Sequence, residues 1–141
     1  MVLVDANVLV YAVNERARDH EIARAWLAAA LGGGEGVGFA WIALIAFLRV
    51  ITHPAALARP LAIERAGELL EVWLEAPPAV VVEPTRRHLA LLRGLLERAG
   101  TGGNLTNDAH LAALALEHGA TIVSFDRDFG RFAGVRSRVP G

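Results

Sequence analysis

Three aspartates of this chain, Asp5, Asp108 and Asp126, stand where an acidic metal centre would need them. In VLVDANVLVYA, Asp5 follows a short apolar strand; in LTNDAHLAALALEHGATIVSFDRDF, Asp108 falls in the first turn of a helix and Asp126 just after the next strand. Open α/β sheets bind ligands outside the carboxyl ends of their strands. Carboxylates gathered there repel one another unless protons or a cation neutralise them. Mg2+ suits such a set, because it prefers oxygen ligands and keeps several waters; Mn2+ is the expected substitute. Singly, each acid has a plainer reading: Asp5 as a helix cap, Asp108 as a complement to a helix dipole, Asp126 as a turn residue. Their expected meeting at one end of a sheet favours the metal site.

Shorter polar groups flank the acids. Asn7 and Ser124 are candidates to orient carboxylates or metal-bound waters, with backbone hydrogen bonding slightly favoured for Ser124. Asp128 is either a ligand through water or plain surface. Arg49 lies on an otherwise apolar helix and needs a partner; pairing with a site carboxylate is favoured over contact with a bound phosphate. His110 is two residues from Asp108, so the helix turns it about 160° away, and it reads as a surface or back-face histidine. His20, His88 and His118 show no metal-ligand spacing with one another.

The elements that must position these residues follow from periodicity. Strands are expected at Val2–Val4, around Phe39, at Val80–Val82, Thr121–Ser124 and, as an edge, Val135–Val139. Helices are expected at Asn7–Asn14, His20–Leu31, Trp41–Thr52, Ala62–Glu75, Thr85–Ala99 and Asn107–His118, the last capped by Thr106. The glycine-rich stretches Gly32–Gly38 and Gly100–Asn104 read as loops. Trp41–Thr52 is apolar nearly all round, which marks a helix buried in a core or an interface. Alternating strands and helices predict an α/β fold with a mostly parallel sheet covered on both faces.

A length of 141 residues suits one domain spanning 1–141. Cysteine is absent, so no disulfide or thiolate chemistry is available. The start, MVLVDANVLVYA, lacks a basic leader, and the longest apolar run, Phe39–Leu48, is too short to cross a bilayer. A soluble cytoplasmic protein is expected. The net charge is 14 − 15 = −1, and every basic residue is Arg. Any attraction for nucleic acid must therefore be local.

DANVLVYA, FLRVITHP and TNDAHLAALALEHGATIVSFDRDF, in this order and at these separations, resemble a PIN domain, and in particular the VapC-type toxins of bacterial toxin–antitoxin pairs. The resemblance covers essentially the whole chain. It implies a three-layer α/β/α fold, a magnesium-dependent ribonuclease, a homodimer and inhibition by a small VapB-like partner. Asp5, Asp108 and Asp126 match the family's acidic positions. The family usually carries a glutamate on the central helix just before the FLR-like segment, where this chain has Ala46. That departure leaves three carboxylates and motivates a rival reading, a PIN-like module that binds RNA or antitoxin without cutting. A phosphatase with an aspartyl nucleophile would want a second acid where Asn7 stands.

Overall fold

The structure, a computed structural model, describes residues Met1–Gly141. Five parallel strands form one sheet in the order β3-β2-β1-β4-β5: β1 (Val2–Val4), β2 (Val37–Ala40), β3 (Ala79–Val82), β4 (Thr121–Val123) and β5 (Ser137–Arg138). The helices are α1 (Ala6–Val13), α2 (His20–Leu31), α3 (Trp41–Ile51), α4 (Ile63–Glu75), α5 (His88–Ala99) and α6 (Leu105–His118). A short 3-10 turn, Arg127–Arg131, follows β4.

The central strands are apolar on both sides because both faces are covered. Val2 and Val4 of β1 join one core, with Leu9 of α1, Leu27 of α2, Phe47 of α3 and Trp73 of α4. Leu3, between them, joins the other, with Leu95 of α5 and Ala112 of α6. This is the two-residue alternation of a strand expressed across two cores, and it makes the fold three layers, α/β/α. Phe47 and Trp73 meet at 5.2 Å between ring centroids, which locks α3 onto α4.

Several boundaries differ from the sequence expectation for local reasons. The second strand takes in Val37 and Gly38, shortening the glycine loop. Gly38 sits in a tight spot there: a Cβ would approach the Val2 carbonyl oxygen to 3.1 Å and Val82 Cγ1 to 3.2 Å, so the neighbours would have to give way. α5 begins at His88 because Thr85 forms a turn, its Oγ1 accepting from Arg87 N. Thr106 is not a cap. The backbone bonds Leu105 N to Gly102 O and Thr106 N to Gly103 O start α6 early, and the cap position falls to Asn104, whose side chain makes no capping bond. α3 buries Ala43, Leu44, Phe47 and Ile51 but leaves Trp41 and Ile45 about half exposed. It is thus not buried all round. No helix is long and apolar enough to cross a membrane.

The order of the strands sets the position of the site. From β1 the chain moves outward to β2 and β3, then returns to lay β4 on the other side of β1. Connections therefore diverge between the carboxyl ends of β1 and β4. Such a switch point leaves a crevice, and Asp5 and Ser124 are the residues that directly follow these two strands.

Candidate metal centre at the switch point

Asp5 sits at the cap of α1. Its backbone N–H donates to Val123 O at 3.0 Å, continuing the β1–β4 pairing by one residue. Its Oδ1 accepts from Ala6 N at 2.7 Å, and its Oδ2 accepts from the Ser124 hydroxyl at 2.7 Å. One carboxylate thus caps α1 and accepts the Ser124 hydroxyl; the capping role expected of Asp5 is formed.

Ser124 is buried, at 1% exposure. Besides donating to Asp5, its oxygen accepts from Asn7 Nδ2 at 3.1 Å and from Asp126 N at 2.9 Å. Asn7 Oδ1 in turn accepts from Phe125 N at 3.2 Å. The two short polar side chains therefore stitch the start of α1 to the turn after β4. Ser124 does bond to backbone, as expected, and it also holds the carboxylate.

Asp126 caps the 3-10 turn, its Oδ1 accepting from Asp128 N at 2.8 Å. Asp128 points to the surface, where its Oδ2 lies 3.0 Å from Arg131 Nη2. Asp108 comes from the other side, on the first turns of α6. It lines a cleft of about 130 Å3 with Asp5, Asn107 and the apolar wall of Ile42, Ala43, Ala46 and Leu111. Ala46 thus stands in the wall of the acidic cleft and offers it only a methyl group.

The three acids sense one another. Burial pushes the Asp5 carboxyl above the ordinary range, against the lowering effect of the Ser124 and Ala6 bonds, and Asp126 adds to the rise. Burial also raises Asp108, followed by repulsion from Asp5 and Asp126; Arg131 opposes this rise. Desolvation and like charge both favour a neutral or counter-charged site. The donor set is all hard oxygen, which fits Mg2+ or Mn2+. No three acidic or histidine side chains converge closely enough to hold an ion by side chains alone.

Arg49 does not join the site. It is exposed, one turn beyond Ala46, and lines a separate surface hollow with Val50, His53 and Ala56. Being the last turn of α3, its position lets the guanidinium reach water and complement the helix dipole; the expected pairing with a site carboxylate is not formed. His110 faces away from the cleft, toward α5, where its Nδ1 lies 2.8 Å from His88 Nε2. Two further residues bear on the acids without a clear signal in the sequence. Asn107 lines the cleft beside Asp108, and its place within NDAH was the available signal. Arg131 carries the positive charge nearest in effect to Asp108, and only the 3-10 turn brings it there.

Residues 2–135 match the PIN domain family. Over 140 residues the chain is 54% identical to ribonuclease VapC37 of Mycobacterium tuberculosis, covering 99% of this chain and 97% of that one. It is 38% identical to ribonuclease VapC33 of the same species, with 99% and 98% covered. Among solved structures, VapBC2 from Rickettsia felis, bound to a DNA fragment from its promoter, superposes with a TM-score of 0.72 at 18% identity and full coverage of both chains. Mycobacterium tuberculosis VapC20, a toxin that cleaves the sarcin–ricin loop, superposes with a TM-score of 0.69 at 18% identity, covering 96% and 99%. The acids at the β1–β4 switch point, the three-layer fold and this likeness along the full length agree: the chain belongs to the PIN domain family, VapC type.

Proposed function

We propose that this protein is a metal-dependent endoribonuclease, the toxin of a type II toxin–antitoxin pair, hydrolysing RNA phosphodiester bonds at Asp5, Asp108 and Asp126. The observation that carries the reading is that Asp5 and Asp108, far apart in sequence, line one cleft with the charge of Asp126 bearing on both, so that burial and like charge push Asp5 and Asp108 toward their neutral forms. Relatives named as ribonucleases support the substrate class.

In this reading Asp5, Asp108 and Asp126 hold Mg2+, or Mn2+ in its place. When bound, the ion would supply a water of lowered pKa and a counter-charge for the attacked phosphate. The chain's own residues do the rest. Ser124 and Asn7 fix the direction of Asp5 and the path of the Asp126 turn. Asn107 places an amide beside Asp108, suited to a phosphate oxygen or a metal-bound water. Ile42, Ala43 and Leu111 form the apolar wall beside Asp5 and Asp108. No side-chain nucleophile is needed.

A VapB-like antitoxin is the proposed inhibitor, since neighbouring folds come from VapBC complexes. The exposed Trp41 and Ile45 of α3 are a proposed contact for that partner or for a second copy in a homodimer. A cytoplasmic site of action belongs with this reading.

Ala46 favours a second reading, in which the cleft binds RNA or antitoxin without cutting. Wild type and the Asp5→Asn, Asp108→Asn and Asp126→Asn variants, incubated with single-stranded RNA and Mg2+, separate the two. Cleavage by the wild type alone supports the nuclease. Binding without cleavage by all four supports the module, and cleavage by all four places the active site elsewhere.

A further inference from the structure

α6 carries Asp108 and packs against α5. Ala113 and Leu114, which share the helix face of His110, belong to the same core as Leu95 of α5. Apolar contacts of this kind are non-directional. The first turn of α6 has no side-chain cap. It follows a connection with two left-handed glycines, Gly100 and Gly103. Asp108, close to this turn, is repelled by Asp5 and Asp126.

A chain of three polar side chains crosses the same interface. Glu117, near the end of α6, accepts at Oε1 from Thr85 N at 2.8 Å and from the Thr85 hydroxyl. Its Oε2 lies 2.6 Å from Nδ1 of His88, the first residue of α5. His88 Nε2 lies 2.8 Å from His110 Nδ1. The Glu117 side chain is 1% exposed and that of His88 12%. Burial opposes ionisation of Glu117, but the bonds from Thr85 and His88 outweigh it and hold the carboxyl below its ordinary range. An ionised Glu117 requires a donor at His88 Nδ1. A neutral His88 then accepts at Nε2 from His110 Nδ1–H. His110 and Glu117 are seven residues apart, two turns on one face of α6. Taking a carboxylate out of water is costly, and an apolar side chain of similar volume would often serve stability as well. What the chain adds is direction.

We propose that Glu117, His88 and His110 are positioning residues for Asp108, fixing the rotation and register of α6 so that its carboxylate stays at the cleft opposite Asp5. This rests on the metal-centre reading above. The chain touches neither substrate nor ion; it acts through the helix.

The test uses the full-length protein with three substitutions. His110→Leu removes the outer bond and leaves the Glu117–His88 pair in place. His88→Phe keeps the ring volume and breaks both bonds. His88→Gln retains a donor for Glu117 and an acceptor for His110. Mn2+ affinity is read by calorimetry, kcat and KM on single-stranded RNA, and amide exchange over 106–109. The expected result for His110→Leu and His88→Phe is a loss of about tenfold or more in Mn2+ affinity. A kcat lower by roughly tenfold to a hundredfold, with KM within about twofold, should accompany it, because misplacement acts on the reacting geometry. His88→Gln should recover most of both. Wild-type Mn2+ affinity and kcat in folded His110→Leu would overturn the proposal, as would failure of His88→Gln to do better than His88→Phe. If the wild type itself neither binds Mn2+ nor cleaves, the metal-centre reading fails. Amide exchange then decides the positioning: acceleration over 106–109 in His110→Leu supports it, and unchanged exchange overturns it.

Discussion

The Ser124 hydroxyl donates to Asp5 Oδ2 at 2.7 Å, joining residues 119 apart in sequence across the switch point between β1 and β4. The same oxygen receives Asn7 Nδ2 and Asp126 N, so one buried hydroxyl sets the attitude of one acid and the backbone of another. Ser124→Ala should therefore do more than open a small void. It removes a bond that lowers the Asp5 pKa, so Asp5 should titrate at higher pH. It should also destabilise the fold by about 1–3 kcal/mol, the usual cost of stranding buried polar groups. Carboxyl NMR titration and urea denaturation read the two effects. A stable variant with an unmoved Asp5 would show that the hub is dispensable.

Stability of the metal-free protein should depend on pH through Asp5 and Asp108. Both are raised in the folded state, so over this window the native protein binds more protons than the unfolded chain. Their contribution is fully present below the ordinary aspartate pKa, about 4, and is lost as pH rises through the raised folded values. Asp5→Asn keeps a capping side chain and removes the charge, as does Asp108→Asn. In EDTA, each variant should gain melting temperature over wild type as pH climbs from 4 to 7.5. A difference that stays constant with pH would mean that the charges are not strained.

Ala46 lines the cleft beside Asp5 and Asp108, so Ala46→Glu should add a carboxylate to the site. Mg2+ and Mn2+ need only one or two carboxylates with waters, and the wild type is expected to hold a single weakly bound ion. The variant should bind Mn2+ more tightly and cleave faster. If the wall has packed tightly around the methyl group, the longer side chain would instead strain α3 by about 1–3 kcal/mol. Calorimetric titration of Mn2+ into both proteins decides. Equal affinity with the fold intact would mean that position 46 does not face the ion.

Much of this architecture is legible in one sequence because its signals are local. Short apolar strands, helical spacing and glycine punctuation place nearly every element to within a few residues, and the three acids fall at element ends that a parallel sheet must gather. What escapes is decided by tertiary contact. Thr106 has a capping side chain, but backbone turns from Gly102 and Gly103 start α6 before it. Arg49 shares an apolar helix with Ala46, yet its long stem takes the charge to water. His88 shows no spacing to His110 or Glu117, since the α5–α6 packing alone unites them.

The central claim is that the acids at the switch point work through a bound divalent cation. The most direct measurement is cleavage of single-stranded RNA by purified protein with Mg2+, after EDTA, and after Mn2+ is restored in excess. The account predicts cleavage in the first condition, none in the second and recovery in the third. Undiminished cleavage in EDTA would contradict it.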